Sequence, residues 1–257
     1  MYPTHRKLAT RFVAILALIT TGMLPVASQA DENSLDHHPL LQKLQQRWPQ
    51  LQPTHMGPAP VADLTEIVVL PANTVLYANT DSGWLVQGAL IDLESGENLS
   101  EQSLAAARHR AMASLPDLNY FEYPAADERR RLTVITDIDC PYCRRLHQDV
   151  PALNEAGISV RYLMLPRAGI DSDSYHKAVA AACAQQPAAA LTRSFLGEDL
   201  PPAEDCEHHI ADQYRLAQQL GANLTPMVID DTSGRTWPGY PGLESLRSAL
   251  QDPAAAP

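Results

Sequence analysis

The feature that most narrows what this chain can fold into is a pair of cysteines three apart, Cys140-Pro141-Tyr142-Cys143, at a junction between two periodicities. Upstream, Leu132-Thr133-Val134-Ile135-Thr136 is a β-type run; downstream, Arg144 to Ala156 has the apolar spacing of an amphipathic helix. A strand that feeds two thiols into the first turn of a helix sets them beside unpaired N–H groups and the positive end of the helix dipole. Both stabilise a thiolate. Pro141 suits the first helical position, where a missing N–H costs nothing. Cys140 is therefore the candidate nucleophile. Cys143, one turn inside on the same side, can resolve an adduct on Cys140 at high effective concentration. Asp137 and Asp139 are expected to oppose ionisation and Arg144 and Arg145 to offset them, with the helix terminus deciding the sign.

A C-x-x-C is also half of a zinc site, and His147 could supply a third ligand. A closed site needs four, and the other two cysteines are distant and form no second C-x-x-C. Redox chemistry without a metal is the reading carried forward, with His147 expected on the helix surface. The two remaining cysteines, Cys183 and Cys206, enclose a long alanine- and proline-containing segment, so the four read as one redox pair and one structural pair.

Disulfides require an oxidising compartment, and the N-terminus supplies the route. His5, Arg6, Lys7 and Arg11 precede a short apolar run, Phe12 to Ile19, and Ser28-Gln29-Ala30 offers small residues for cleavage. The run is short of the about 20 residues a membrane span needs. Residues 1–30 therefore read as a cleaved signal peptide. The whole chain has 19 basic and 30 acidic residues; removing Arg6, Lys7 and Arg11 leaves 16 against 30, a net of −14. That charge argues against nucleic acid as a partner. Arg129-Arg130-Arg131 is the one later basic cluster, read as a solvated break between two strands.

Taken in order, Asp31 to Trp48 has a helical stripe of Leu35, Leu40, Leu41, Leu44 and Trp48, bounded by Pro39 and Pro49. Gly57-Pro58-Ala59-Pro60 reads as a connector. Leu64 to Leu70, Thr74 to Ala78 and Trp84 to Leu93 read as strands, the last two paired across Asn79-Thr80-Asp81-Ser82-Gly83. Gly88 interrupts the third run. It marks either a bulge or a strand edge meeting a second copy of the chain, and the residues alone leave both open. This unit carries no nucleophile or phosphate loop, which points to assembly or binding. Asn98 caps a helix to Leu115 whose stripe, Leu104, Ala107, Ala111 and Leu115, is narrow; Arg108, His109 and Arg110 lie mostly off it.

Strands are expected within Leu118 to Asp137, and Gly157 caps the helix that carries the cysteines. Ile158 to Leu165 completes a βαβ unit. Tyr175 to Ala184, Ala188 to Leu196 and Ile210 to Leu220 read as helices. Met227 to Asp230 and Arg235 to Trp237 read as a hairpin, and Leu243 to Leu250 as a last helix before a frayed tail, Pro253 to Pro257. Thr225-Pro226 stands at a strand start. Asn223-Leu224-Thr225 also matches a glycosylation sequon, discounted as coincidence if the host is bacterial.

Thr136-Asp137-Ile138-Asp139-Cys140-Pro141-Tyr142-Cys143, Gly157-Ile158-Ser159-Val160-Arg161-Tyr162-Leu163, Leu165-Pro166-Arg167, Gln219-Leu220-Gly221, Thr225-Pro226 and Pro238-Gly239-Tyr240 together resemble the periplasmic thiol:disulfide isomerase family, the DsbC/DsbG type. Pro58-Ala59-Pro60-Val61-Ala62, Val75-Leu76-Tyr77 and Val86-Gln87-Gly88 extend the resemblance through the N-terminal half. It implies an α+β chain: a cystatin-like dimerisation domain (31–97), a linker helix (98–116) and a thioredoxin-like catalytic domain with an inserted helical subdomain (117–257). It implies attack by Cys140, resolution by Cys143, a structural disulfide between Cys183 and Cys206, and substrate contacts at Thr225, Pro226 and Tyr142. It also moves Gly88 toward the dimer interface. The implied partners are a second copy of the chain, misfolded or oxidised exported proteins, and an inner-membrane thiol reductase of the DsbD type. No cofactor is implied beyond the redox-active Cys140–Cys143 pair. Pro-Tyr between the cysteines is the DsbG pattern, whereas the isomerase branch has Gly-Tyr, and much of the surrounding text follows the isomerase branch. The resemblance therefore admits three activities: disulfide isomerisation or reduction, reduction of sulfenylated cysteines, and thiol-independent chaperoning.

Overall fold

The computed structural model describes residues 38–79, 81–203 and 206–251. The expected signal peptide, the start of the first helix and the tail after 251 lie outside the described residues. The N-terminal unit is an antiparallel sheet, β1 (His55–Pro58), β2 (Thr65–Val69), β3 (Thr74–Asn79) and β4 (Trp84–Gln87), paired in that order. Helix α1 (Pro39–Arg47) covers one face and α2 (Leu99–Ala113) the other. This two-sided burial explains the unbroken apolar run in β2. Ile67 and Val69 pack with Leu40 and Leu44, while Val68 packs with Leu104 and Ala107.

Three sequence expectations need correction here. Gly57 and Pro58 are not in a connector but in β1, whose residues pair with Thr65 to Val68. An edge strand tolerates a proline at its end because the missing N–H leaves no ladder bond unmade. The third run is short: β4 stops at Gln87, and Gly88 lies just beyond it, exposed, with open space where a Cβ would be. Gly88 is thus not a bulge inside a long strand. Arg108, placed mostly off the apolar stripe of a polar helix, is nevertheless almost wholly buried, bonding Asn73 Oδ1 and lying 4.0 Å from Glu101.

The C-terminal unit is a five-stranded mixed sheet ordered β5 (Phe121–Tyr123), β7 (Ile158–Met164), β6 (Arg130–Thr136), β8 (Met227–Asp230), β9 (Thr236–Pro238). Only β6 and β7 are parallel, joined by α3 (Pro141–Gln148) and α4 (Val150–Glu155). The single expected helix is two, because Pro151 cannot donate and its ring crowds the preceding turn. Gly157 ends α4 at φ +76°, a left-handed turn that a side chain resists. Arg130 and Arg131 are not a break: they open β6. Arg131 bridges Glu122 at 3.1 Å and Glu128 at 2.8 Å.

Helices α5 (Asp173–Ala182) and α6 (Pro187–Phe195) are inserted before α7 (Ile210–Gln219); α8 (Leu243–Gln251) closes the described chain. Pro187 starts α6 instead of merely separating two helices. Alternation along β6 divides the core. Leu132 and Val134 pack under α3 and α6, and Ile135 packs on the other side with Ala217, Leu220 and Met112. Met112 is on α2, so the connecting helix contributes its last turn to the second core. The result is an α+β chain with a thioredoxin-like C-terminal unit.

Candidate functional site

The end of β6 and the start of α3 meet the loop before β8. Cys140 is the N-cap of α3, with extended backbone at φ −83°, ψ 120°, and Pro141 fills the first helical position. The Cys140 N–H donates to Asp137 O at 3.1 Å, which turns the chain into the helix. The Cys140 thiol lies 3.4 Å from the backbone oxygen of Thr225, to which it donates. Thr225–Pro226 is a cis peptide. The structure therefore brings Cys140, Cys143, Thr225 and Pro226 together from segments more than eighty residues apart. Tyr142, between the cysteines, is 58% exposed and free to meet a partner.

The two cysteines are both free thiols, and they are poised in opposite directions. Burial raises the Cys140 thiol, but the Thr225 side-chain hydroxyl, the N–H groups of Cys143 and Tyr142 and the Cys143 thiol outweigh it, leaving Cys140 below the ordinary thiol value. Burial pushes Cys143 up to about 12, against a pull downward from the Thr136 hydroxyl and the Asp137 N–H. The thiol at the helix start is the more readily ionised of the two and so the one poised to attack, while burial holds its neighbour protonated.

The charges around the pair are arranged differently from the sequence expectation. Asp137 is buried and accepts from the N–H of Asp139 at 2.9 Å, and from Arg167 through its backbone N–H at 2.9 Å and Nε at 3.0 Å. Asp139 is held by Lys177 Nζ at 2.7 Å, with Arg144 at 3.5 Å. Both carboxylates thus reach the cysteines already paired, and Arg145 is exposed. Arg167 and Lys177 come from the segments after β7, out of sight of a reading confined to the motif. The residue type after Pro166 was the available signal.

His147 also departs from expectation. It is buried rather than on the helix surface, with Nδ1 3.0 Å from the Tyr162 hydroxyl and Nε2 3.0 Å from Thr192 Oγ1. Its ring stacks on Phe195. Burial pushes it down to about 4. With both nitrogens engaged it cannot turn toward the cysteines as a zinc ligand, and no metal-binding cluster occurs among the described residues. Its spacing carried the signal: a residue four after the buried Cys143 shares its face.

Cys183, at the C-terminal cap of α5, is disulfide-bonded to Cys206, with their Cα atoms 5.9 Å apart. Gly88 is in the other unit, beside the edge strand β4. Trp84 and Val86 on that strand are 73% and 57% exposed.

Two family models match the chain. Residues 26–101 match the disulfide bond isomerase protein N-terminal domain, and residues 120–253 a thioredoxin-like domain. The thiol:disulfide interchange protein DsbC of Escherichia coli strain K12 is 34% identical over 209 residues, spanning 79% of this chain and 83% of its own. That of Salmonella typhimurium is 32% identical over 203 residues, 79% of this chain and 82% of its own. A third, from Dickeya dadantii, is 31% identical over 241 residues, which is 93% of this chain and 94% of that one.

Proposed function

Because this chain belongs to the DsbC-type family of thiol:disulfide interchange proteins, we propose that it is a thiol:disulfide isomerase and reductase of the bacterial periplasm, working as a homodimer. The observation that carries the reading is the opposite poise of two adjacent thiols at one helix start. The Cys140 thiolate attacks one sulfur of a non-native disulfide, forming a mixed disulfide and releasing the other sulfur as a thiolate that takes up a proton. The freed substrate thiol can then attack elsewhere in its own chain and rearrange, returning Cys140. Alternatively Cys143 displaces the substrate, which leaves reduced while Cys140 and Cys143 become a disulfide. No cofactor is needed beyond this pair. An inner-membrane thiol reductase of the DsbD type would restore the dithiol.

Substrate backbone is received by Thr225 and Pro226, beside the Cys140 sulfur, with Tyr142 exposed at the rim. The Cys183–Cys206 bond is the structural one, tying α5 to the approach of α7. Dimerisation through β4 and Gly88 is supported by the unpaired edge of that strand and its exposed Trp84 and Val86. The test is recovery of activity from a scrambled-disulfide protein in a thiol buffer. Cys140→Ala is expected to abolish catalysis. Reshuffling that continues in this variant refutes the assignment.

A further inference from the structure

The buried side of the cysteine pair faces a hydroxyl that makes no hydrogen bond of normal geometry among the described residues, although it lies close enough to Cys143 to draw that thiol down. Thr136, the last residue of β6, is fully buried, and its Oγ1 has no hydrogen-bond partner. A buried hydroxyl left unpaired is costly, so its persistence asks for a use. Its backbone oxygen is already engaged, accepting from the N–H of Leu165 at 2.7 Å. Alternation along the strand fixes where the side chain goes. Val134, two residues earlier, lies in the same core cluster as Cys143, while Ile135 lies in the opposite one. Thr136 therefore shares the face that Cys143 buries. Thr225 repeats the arrangement at the other sulfur: it is buried beside Cys140, and its Oγ1 draws that thiol down without a hydrogen bond of normal geometry.

We propose that Thr136 is a positioning residue for the resolving step, donating its hydroxyl to the Cys143 sulfur as that sulfur ionises and so setting how fast Cys143 displaces bound substrate. The inference rests on the disulfide-exchange reading above. In this step Cys143 gives up its proton and its thiolate attacks Cys140 Sγ. The Cys140–Cys143 bond forms, the bond from Cys140 to the substrate sulfur breaks, and the substrate thiolate takes up a proton. The dithiol loses two electrons and the original substrate disulfide gains them. In the resting dithiol Cys143 is held protonated, so the Thr136 hydroxyl has no anion to serve and makes no hydrogen bond of normal geometry. The other groups facing Cys143 are Cys140 on its own helix, Tyr162 from β7, and Arg167, which Asp137 neutralises. None of these brings a hydroxyl as close in sequence register as Thr136. An adduct that Cys143 resolves slowly has longer to rearrange, so this hydroxyl governs how adducts divide between reduction and isomerisation.

The reduced full-length protein, mixed with Ellman's reagent at pH 7, separates the two steps. Attack by Cys140 releases one thionitrobenzoate and resolution by Cys143 releases the second. Thr136→Val keeps the shape and removes the donor. A rise of about one pKa unit cuts the thiolate tenfold, and the greater nucleophilicity of the more basic sulfur returns part of it. The second release is therefore expected about three- to fourfold slower, with the first unchanged and Thr136→Ser near the parent rate. Resolution by Thr136→Val at the parent rate overturns the proposal. So does a Ser variant as slow as Val, or equal slowing of both releases. If the Val variant does not fold, Thr136→Ala gives the same contrast against Ser. Failure of the exchange reading itself has a different signature: Cys140→Ala would still release the first thionitrobenzoate at the parent rate.

Discussion

His147 offers a quantitative test of how the cysteine-bearing helix is held. Its ring is buried between Tyr162 and Thr192, stacked on Phe195, and pushed down from 6.5 to about 4 by that burial. The unfolded chain therefore binds a proton at this residue between pH 6.5 and 4, and the folded chain does not. Stability rises with pH wherever the unfolded state holds more protons, so the contribution is fully present above 6.5 and lost as pH falls toward 4. Across that window, at about 1.4 kcal/mol per pH unit, the loss is about 3 kcal/mol. His147→Gln keeps one donor and one acceptor for the two hydroxyls and cannot titrate. Urea unfolding of both proteins from pH 7 to pH 4 isolates the effect, because other groups cancel in the difference. The variant is expected to be the less stable protein at pH 7 and to close about 3 kcal/mol of the gap by pH 4. A gap that stays constant with pH would mean that His147 titrates alike in both states, and the burial argument would fail.

Two further outcomes follow from the scaffold. Replacing both Cys183 and Cys206 with alanine opens a loop with a sequence separation of 23 and is expected to cost about 3 kcal/mol in urea unfolding. The rate of Cys140 with Ellman's reagent should not change; a slower rate would mean that the bond shapes the site as well as the fold. Val86→Asp puts a charge on the exposed edge strand β4 and is expected to give monomers in sedimentation analysis at micromolar concentration. A variant that remains dimeric would remove β4 from the interface.

The motif was legible because its information is local: two thiols, a proline that fits the first helical position, and a change of period all lie within a few residues. Burial by distant segments was not. His147 reads as a polar residue on a polar stretch until α6 supplies Thr192 and Phe195, and β7 supplies Tyr162. The burial of Arg108 was out of reach because its partner Asn73 belongs to the turn between β2 and β3. Strand β1 was hidden by Gly57 and Pro58, which mark a connector in most settings but are tolerated at an unpaired edge. The split of α3 from α4 was present in the text at Pro151 and was overridden by the apolar spacing of Leu146, Val150 and Leu153.

The sequence expectation balanced Asp137 and Asp139 against Arg144 and Arg145, as if charge near the motif set the poise of Cys140. The structure assigns those carboxylates other tasks. Asp137 is anchored by Arg167 and braces the turn into α3, and Asp139 is held by Lys177 from α5. Paired charges of opposite sign exert little net field on a third group, so the two acids weigh less on the thiols than their proximity suggests. What distinguishes the sulfurs is then burial against donors. Cys140 has Thr225 and the first N–H groups of α3 to overcome its burial, whereas Cys143 has fewer donors for a deeper position. The loop before β8 is accordingly a stronger lever on Cys140 than any residue on the exposed side of α3. Changing Arg145 should leave its ionisation nearly untouched, while losing the Thr225 hydroxyl should raise it.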